Sequence, residues 1–128
     1  MGTDFDTKVI ENDVVCMTLK GVADENNIAA LEEWAKKAAL IIKDTHQKTG
    51  KKVRSLVDLK DLGSDYDIGV IKIISSLMKE NQPYIEKTAT FGANFVIKLL
   101  EETIITMAGR DNIKVFKNKE DAMKWLGQ

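Results

Sequence analysis

The sequence predicts an α/β fold in which a mixed, mainly parallel five-stranded sheet carries its helices mostly on one face. Strand-like and helix-like segments alternate along the 128 residues in the order ββαβαβαβα, and such alternation favours parallel strands joined by right-handed helical crossovers. Three predicted strands alternate apolar and polar residues, whereas parallel strands that are covered on both faces consist of continuous apolar runs. One face of the sheet is therefore expected to be poorly covered.

Turn residues separate five strand candidates. These are Lys8–Glu11, Val14–Lys20, Val53–Leu59, Lys87–Phe91 and Asn112–Phe116. Asn12 and Asp13 lie between the first two and form a turn pair that favours a hairpin, so the first strand is expected to be antiparallel to its neighbour. Val53–Leu59 does not alternate, and we expect it to be central.

Four helix candidates fill the connections between these strands. They run from Asp24 or Asn26 to about Lys43 or beyond, from Asp67 to Asn81, from Asn94 to Ala108 and from Asn118 to Leu126. Gly50 closes the first helix, and Gly109 stands where a left-handed residue commonly ends a helix. Asn118, with Asp121 three residues later, resembles a capping box.

Composition narrows the classes of function. A chain of this length is expected to form a single domain over residues 1–128. The formal charge is −1, from 19 basic and 20 acidic residues, so no nucleic-acid partner is expected. Cys16 is the only cysteine, which excludes an intramolecular disulfide and favours a reducing, cytoplasmic location. The first residues, MGTDFDTK, lack the features of a secretory signal.

No residue pattern predicts an enzyme, a metal site or a bound cofactor. His46 is the only histidine and has no cysteine partners for a zinc site of the usual type. Neither of the glycine-rich phosphate motifs, GxxxxGK[ST] and GxGxxG, is present. Gly92 and Asn94 lie between a strand and a helix start, where free amides could hold an anion, although a tight turn there needs glycine as well.

Two helix candidates carry more apolar surface than one sheet face can cover. In Asn94–Ala108 the polar arc is narrow and Ile105 projects into it, while in the first helix Leu40 lies among charged residues. This surplus predicts contact with an apolar ligand, a membrane surface or a second copy in a homodimer, unless terminal segments cover it. The residues predicted to make the contact are Trp34, Ile41, Phe95, Leu99 and Ile105.

The polar segment VDLKDLGSDYD follows the predicted central strand. The spacing of its aspartates differs from that of an EF-hand calcium loop, and an exposed turn does not provide the burial that paired catalytic carboxylates need. A capped, solvated turn is therefore expected, and it could dock a partner. The predicted docking residues are Gly63, Ser64, Asp65, Tyr66 and Asp67.

Three motifs occur in order along the chain: LVDLKDL followed by an amphipathic helix, YIEKTATFGA, and AGRDNIKVFKNKEDAMKWL. Together they resemble the SpoIIAA-like family of STAS-related domains, which is distantly similar to the lipid-binding Sec14 type of fold. The resemblance extends from about Val9 to Leu126. It implies a mixed sheet with helices largely on one side, and a non-enzymatic binding or regulatory domain.

The resemblance also bears on the predicted docking residues. Anti-sigma factor antagonists of this fold carry a phosphorylatable serine in a D-S-S-G-L-G-like segment, which corresponds here to SDYDIG. The serine position falls near Tyr66, with Asp67 next to it, and Ser64 lies about two residues early. The expected function is therefore binding of an apolar small molecule or lipid surface or, alternatively, docking of a regulatory protein without the usual phosphorylation.

Overall fold

The computed structural model describes residues 4–23, 25–66, 68–92 and 112–128, and of these it gives the backbone alone for residues 22–23, 25, 63–66 and 68–71. The strands and helices in chain order are β1 (Asp4–Val9), β2 (Val15–Ala23), α1 (Ile28–Thr49), β3 (Val53–Asp58), β4 (Leu62–Tyr66), α2 (Ile68–Asn81), β5 (Ile85–Phe91), β6 (Ile113–Phe116) and α3 (Lys119–Leu126). The helix predicted over Asn94–Ala108 lies outside the described residues.

Five strands form one mixed sheet in the order β1-β2-β3-β5-β6. The pair β1–β2 is antiparallel, and the remaining neighbours along this path are parallel. The predicted sheet is thus confirmed, including its antiparallel first strand and the central position of β3. The short strand β4 was not predicted and pairs with the end of β2.

The hairpin between β1 and β2 turns at Asn12 and Asp13, as predicted. Both residues have positive φ angles, of 60° and 59°, which is the conformation that the tight primed turns of hairpins require. The amide of Val14 donates to the Glu11 carbonyl across the turn at 3.3 Å. The predicted bounds of the first strand were wrong, because pairing runs from Asp4 to Val9 and Glu11 already belongs to the turn.

The helices that the structure describes cover the two faces of the sheet unequally. Helices α1 and α2 share one core with β2, in which Val15, Met17 and Leu19 lie on the same side, as their alternation predicted. The opposite face holds a smaller core of Val14, Cys16, Leu56, Ala89 and Phe91, which packs against Ala122 and Leu126 of α3. Of the three described helices, two therefore lie on one face, and only the eight-residue α3 lies on the other.

Helix α1 ends as the sequence predicted and begins slightly later. Gly50 closes it with φ at 70° and donates its amide to the His46 carbonyl at 2.9 Å, which is the left-handed cap that favours glycine. Its N-cap position is Asn27 rather than Asn26, and Asp24 lies outside the described residues.

Polar contacts hold both ends of α3. The Asn118 side chain accepts a hydrogen bond from the Asp121 amide at 2.8 Å, which confirms the predicted cap. At the other end, Lys87 Nζ donates to the Trp125 carbonyl at 2.7 Å, and Arg54 Nη1 donates to the Leu126 carbonyl. Cations at this end also suit the negative pole of the helix dipole, so β3 and β5 fix the position of α3 through charged side chains.

Candidate functional site at the carboxyl end of β3

The chain leaves β3 through a turn that is fastened to its neighbours. The Asp58 carboxylate accepts a hydrogen bond from the Lys60 amide at 3.1 Å, the local pattern by which aspartate stabilises a turn. The Leu59 amide donates to the Phe91 carbonyl at 3.0 Å, which ties the turn to β5. Leu59 and Leu62 are buried while Lys60 and Asp61 are exposed, so two apolar side chains hold the turn down and two charged ones face solvent.

The turn passes directly into β4, so the backbone of Leu62–Tyr66 is a strand where the sequence predicted that the turn continues. The Gly21 amide donates to the Asp61 carbonyl at 3.1 Å, and β4 then runs parallel to β2, with Gly21 opposite Leu62 and Ala23 opposite Tyr66. The backbone of Gly63, Ser64, Asp65 and Tyr66 is therefore a short strand, whereas Asp67 lies outside the described residues. A strand in LGSDY depends on the distant end of β2, which no local pattern reveals.

Gly92 follows β5 and lies against the same turn. Its φ angle is +106°, and a Cβ atom placed on it would lie 2.5 Å from the Lys60 Cα and 2.9 Å from the Leu59 carbonyl carbon. Close backbone approach thus explains glycine at this position. The predicted anion site at Gly92 and Asn94 stays a prediction, since Asn94 lies outside the described residues.

Of the five residues predicted for an apolar contact, the two that the structure describes lie in or against the core. Trp34 is only 5% exposed, its indole N–H donates to the Asp6 carbonyl at 3.2 Å, and its ring lies 6.5 Å from that of Phe5. Ile41 is half-buried against the same core. The other members of the set, Phe95, Leu99 and Ile105, lie outside the described residues.

Cys16 and His46 have the side chains most capable of chemistry, and the contacts of both are those of structural residues. Burial, the largest influence, raises the pKa of the Cys16 thiol above its usual range, which keeps it protonated and unreactive. His46 Nδ1 lies 2.8 Å from the Lys51 carbonyl oxygen, and its ring lies 5.4 Å from that of Tyr84. Within the described ranges, no three His, Cys, Asp or Glu side chains are placed to hold a metal ion, and no helix is long and apolar enough to cross a membrane.

One feature that sequence reasoning missed is an open groove of about 700 Å³ between α1 and α2. The available signal was Leu40, which lies among charged residues on the helical wheel and is 61% exposed at the groove. Sequence alone could not reveal a groove, because its shape depends on how the two helices pack.

Comparison with known proteins decides the family. The model of the SpoIIAA-like family matches residues 14–127, which is most of the chain. The protein belongs to the SpoIIAA-like family. The match includes the turn after β3, β4 and the start of α2, so it confirms the resemblance that the three sequence motifs carry.

Solved structures show the same fold at low sequence identity. The anti-sigma factor antagonist SpoIIAA in its unphosphorylated form has a TM-score of 0.63 and 12% identity, over 97% of this chain and 98% of that one. A SpoIIAA-like protein of the DUF3478 family from Shewanella loihica PV-4 has a TM-score of 0.64 and 13% identity, over 98% and 94%. No curated protein matches significantly. None of these findings supports the predicted likeness to the Sec14 type of fold.

Proposed function

We propose that this SpoIIAA-like protein is a non-catalytic regulatory module of the cytoplasm that docks a protein partner through residues 60–67. Its family and its likeness to an anti-sigma factor antagonist support a regulatory role. The observation that carries the proposal is the backbone anchoring of residues 60–66 at the carboxyl edge of the sheet, which is where many α/β domains place their binding loops.

Anchoring makes the segment suitable for docking. Three hydrogen bonds hold its first residues, and they join Asp58 to Lys60, Leu59 to Phe91 and Gly21 to Asp61. Pairing with β2 holds β4 in place. A segment that is already ordered loses less conformational entropy on binding than a mobile loop does. The exposed charges of Lys60 and Asp61 would contribute to the choice of partner, since charged groups at an interface mainly provide specificity.

Docking in this protein is proposed to be independent of the phosphorylation used by antagonists of this fold. By the resemblance, the phosphorylated serine of those antagonists would correspond to a position near Tyr66, and Ser64 lies about two residues earlier. Tyrosine is a large, rigid aromatic residue of the kind enriched at binding interfaces, so its presence in the sequence here is compatible with docking.

Affinity capture with substituted proteins tests the docking site. Tyr66→Ala and Asp67→Lys should each lose a partner that the unsubstituted protein captures, while Asp44→Lys, an equal reversal of charge at an exposed position of α1, should keep it. Circular dichroism establishes that all three variants are folded. Retention of the partner by both docking variants would refute the proposal.

The alternative of an apolar ligand or lipid surface receives less support from the structure. Trp34 belongs to the core, and its indole is already hydrogen-bonded to Asp6. Native mass spectrometry and flotation with liposomes distinguish this alternative, because a co-purified lipid or flotation would favour it. A homodimer through Asn94–Ala108, and a single domain over residues 1–128, stay predictions.

A further inference from the structure

The groove between α1 and α2 has an apolar floor made of two rows of side chains. Ala35 and Ala39 form the row on α1, and Ile73 and Leu77 form the row on α2. Each pair is four residues apart, so it lies along its own helix axis. The two alanines leave room that larger side chains would fill, and small residues allow a third helix to approach closely.

The shape of the groove suits a rod rather than a flat surface. Its lining on α1 extends from Glu32 to Lys43, a length of about 16 Å at 1.5 Å per residue, or three helical turns. Leu40, which is 61% exposed, stands at the groove and offers an apolar contact above the floor. A single exposed leucine is ordinary, but one beside an apolar groove enlarges the surface that a bound helix would bury.

The charges at the groove favour an acidic occupant. The groove is lined by three lysines, Lys36, Lys43 and Lys72, and by only two carboxylates, Glu32 and Glu80. Across the part of the chain that the structure describes, the ion pairs within 4.0 Å are Lys37–Glu33 and Arg54–Glu86, and neither involves a groove lysine. Lys43 instead lies 5.7 Å from the centre of the Tyr84 ring. The lysines are thus available to carboxylates from outside.

A second copy of the chain is a poor occupant by the same reasoning. Two grooves facing each other would bring six ammonium groups and four carboxylates together, so at least two positive charges would stay unpaired at the contact. An acidic partner has no such cost.

We propose that this groove binds an amphipathic α-helix of a protein partner. The apolar stripe of the partner's helix lies on Ala35, Ala39, Ile73 and Leu77. The Asp or Glu side chains that flank this stripe pair with the groove lysines. Binding of a helix in an apolar groove through residues at i, i+3, i+4 and i+7 is a general mode of recognition. This surface lies on the helices and is additional to the proposed docking segment at residues 60–67.

Selection of helical peptides from a display library against the whole protein tests the proposal. The enriched peptides should carry an apolar stripe at helical spacing with Asp or Glu beside it. In fluorescence anisotropy they should bind at least about tenfold more weakly to Leu40→Glu and to the triple variant Lys36→Glu, Lys43→Glu, Lys72→Glu. The matched control, Lys37→Glu, reverses a charge on α1 outside the groove lining and should bind them normally, as should Tyr66→Ala, which separates the groove from the docking segment.

Several outcomes would overturn the proposal. These are the absence of acidic helical peptides after selection, equal binding by Leu40→Glu, and loss of binding in Tyr66→Ala. Light scattering that shows a dimer dissociated by Leu40→Glu would assign the groove to a second copy. Displacement of the selected peptides by a long-chain fatty acid would assign it to a small amphiphile.

Discussion

Gly92 and Lys60 lie in backbone contact although they are far apart in the sequence. A Cβ atom on Gly92 would lie 2.5 Å from the Lys60 Cα, a distance that real side chains do not tolerate. The strand end of β5 and the turn after β3 are therefore packed so closely that only glycine fits between them. Because this turn leads into the proposed docking segment, the position of that segment depends on a residue outside it.

Substitution of Gly92 should show how much this contact contributes. Gly92→Ala combines the cost of a side chain at a φ angle of +106° with displacement of the Lys60 backbone, and we expect it to lower the free energy of unfolding by at least about 2 kcal/mol. The control is Gly50→Ala, which also has a positive φ angle but no atom within 4 Å of the new Cβ. It should cost only about 1 kcal/mol. Urea denaturation measures both, and equal costs would contradict the close contact.

The attachment of α3 gives a second prediction. Lys87 donates to the Trp125 and Gln128 carbonyls at 2.7 and 2.9 Å, and its ammonium lies 4.8 Å from the centre of the Trp125 ring. Lys87→Met should therefore lower the free energy of unfolding by about 1 kcal/mol. Lys114→Met, a substitution of an exposed lysine on β6, should change it by less than about 0.5 kcal/mol. Similar denaturation midpoints for both variants would show that Lys87 does not hold α3.

The start of α3 gives a third prediction. The Asn118 side chain caps the helix by accepting from the Asp121 amide, so Asn118→Ala should destabilise the protein by about 1 kcal/mol. Asn118→Asp keeps an acceptor at the same place and should cost much less. Thermal unfolding of the two variants measures the difference, and equal losses would mean that the cap contributes little.

Sequence reasoning succeeded where local rules decide the structure. Three features follow from the preferences of one or two residues for particular backbone conformations, and all three are present in the structure. They are the Asn12–Asp13 turn, the Gly50 cap and the Asn118 cap. Alternation in β2 likewise predicted that Val15, Met17 and Leu19 lie on one side of the sheet. These features need no information about distant parts of the chain.

Features that depend on distant contacts were missed. The strand β4 has Gly, Ser and Asp within it, residues that are rare in strands, and it exists because the end of β2 lies beside it. The sequence left open whether Trp34 contacts a ligand or partner or is covered by a terminal segment, and the structure shows it in the core, with its indole N–H donating to the Asp6 carbonyl of β1. Its hydrophobicity was evident in the sequence, whereas the position of β1 above it was not.

The buried thiol of Cys16 makes stability depend on pH in a specific window. Burial raises its pKa in the folded protein, so the folded state holds the proton more strongly than the unfolded state does. Below the ordinary cysteine pKa of about 8.5 both states are protonated and the thiol contributes no pH dependence. Above it the unfolded state ionises first, and the free energy of unfolding should fall with pH, by at most about 1.4 kcal/mol per pH unit.

Comparison with Cys16→Ala isolates this contribution, because the lysines and tyrosines that also titrate at high pH are present in both proteins. The variant should be less stable at pH 7, since it leaves a small cavity beside Leu56, the residue paired with Cys16 on β3, in the core that α3 covers. Between about pH 8.5 and 10 the unsubstituted protein should lose stability faster, so the gap between the two should narrow. Urea denaturation at half-unit intervals of pH measures the gap. If it stays constant over this range, the thiol is not buried as the structure shows.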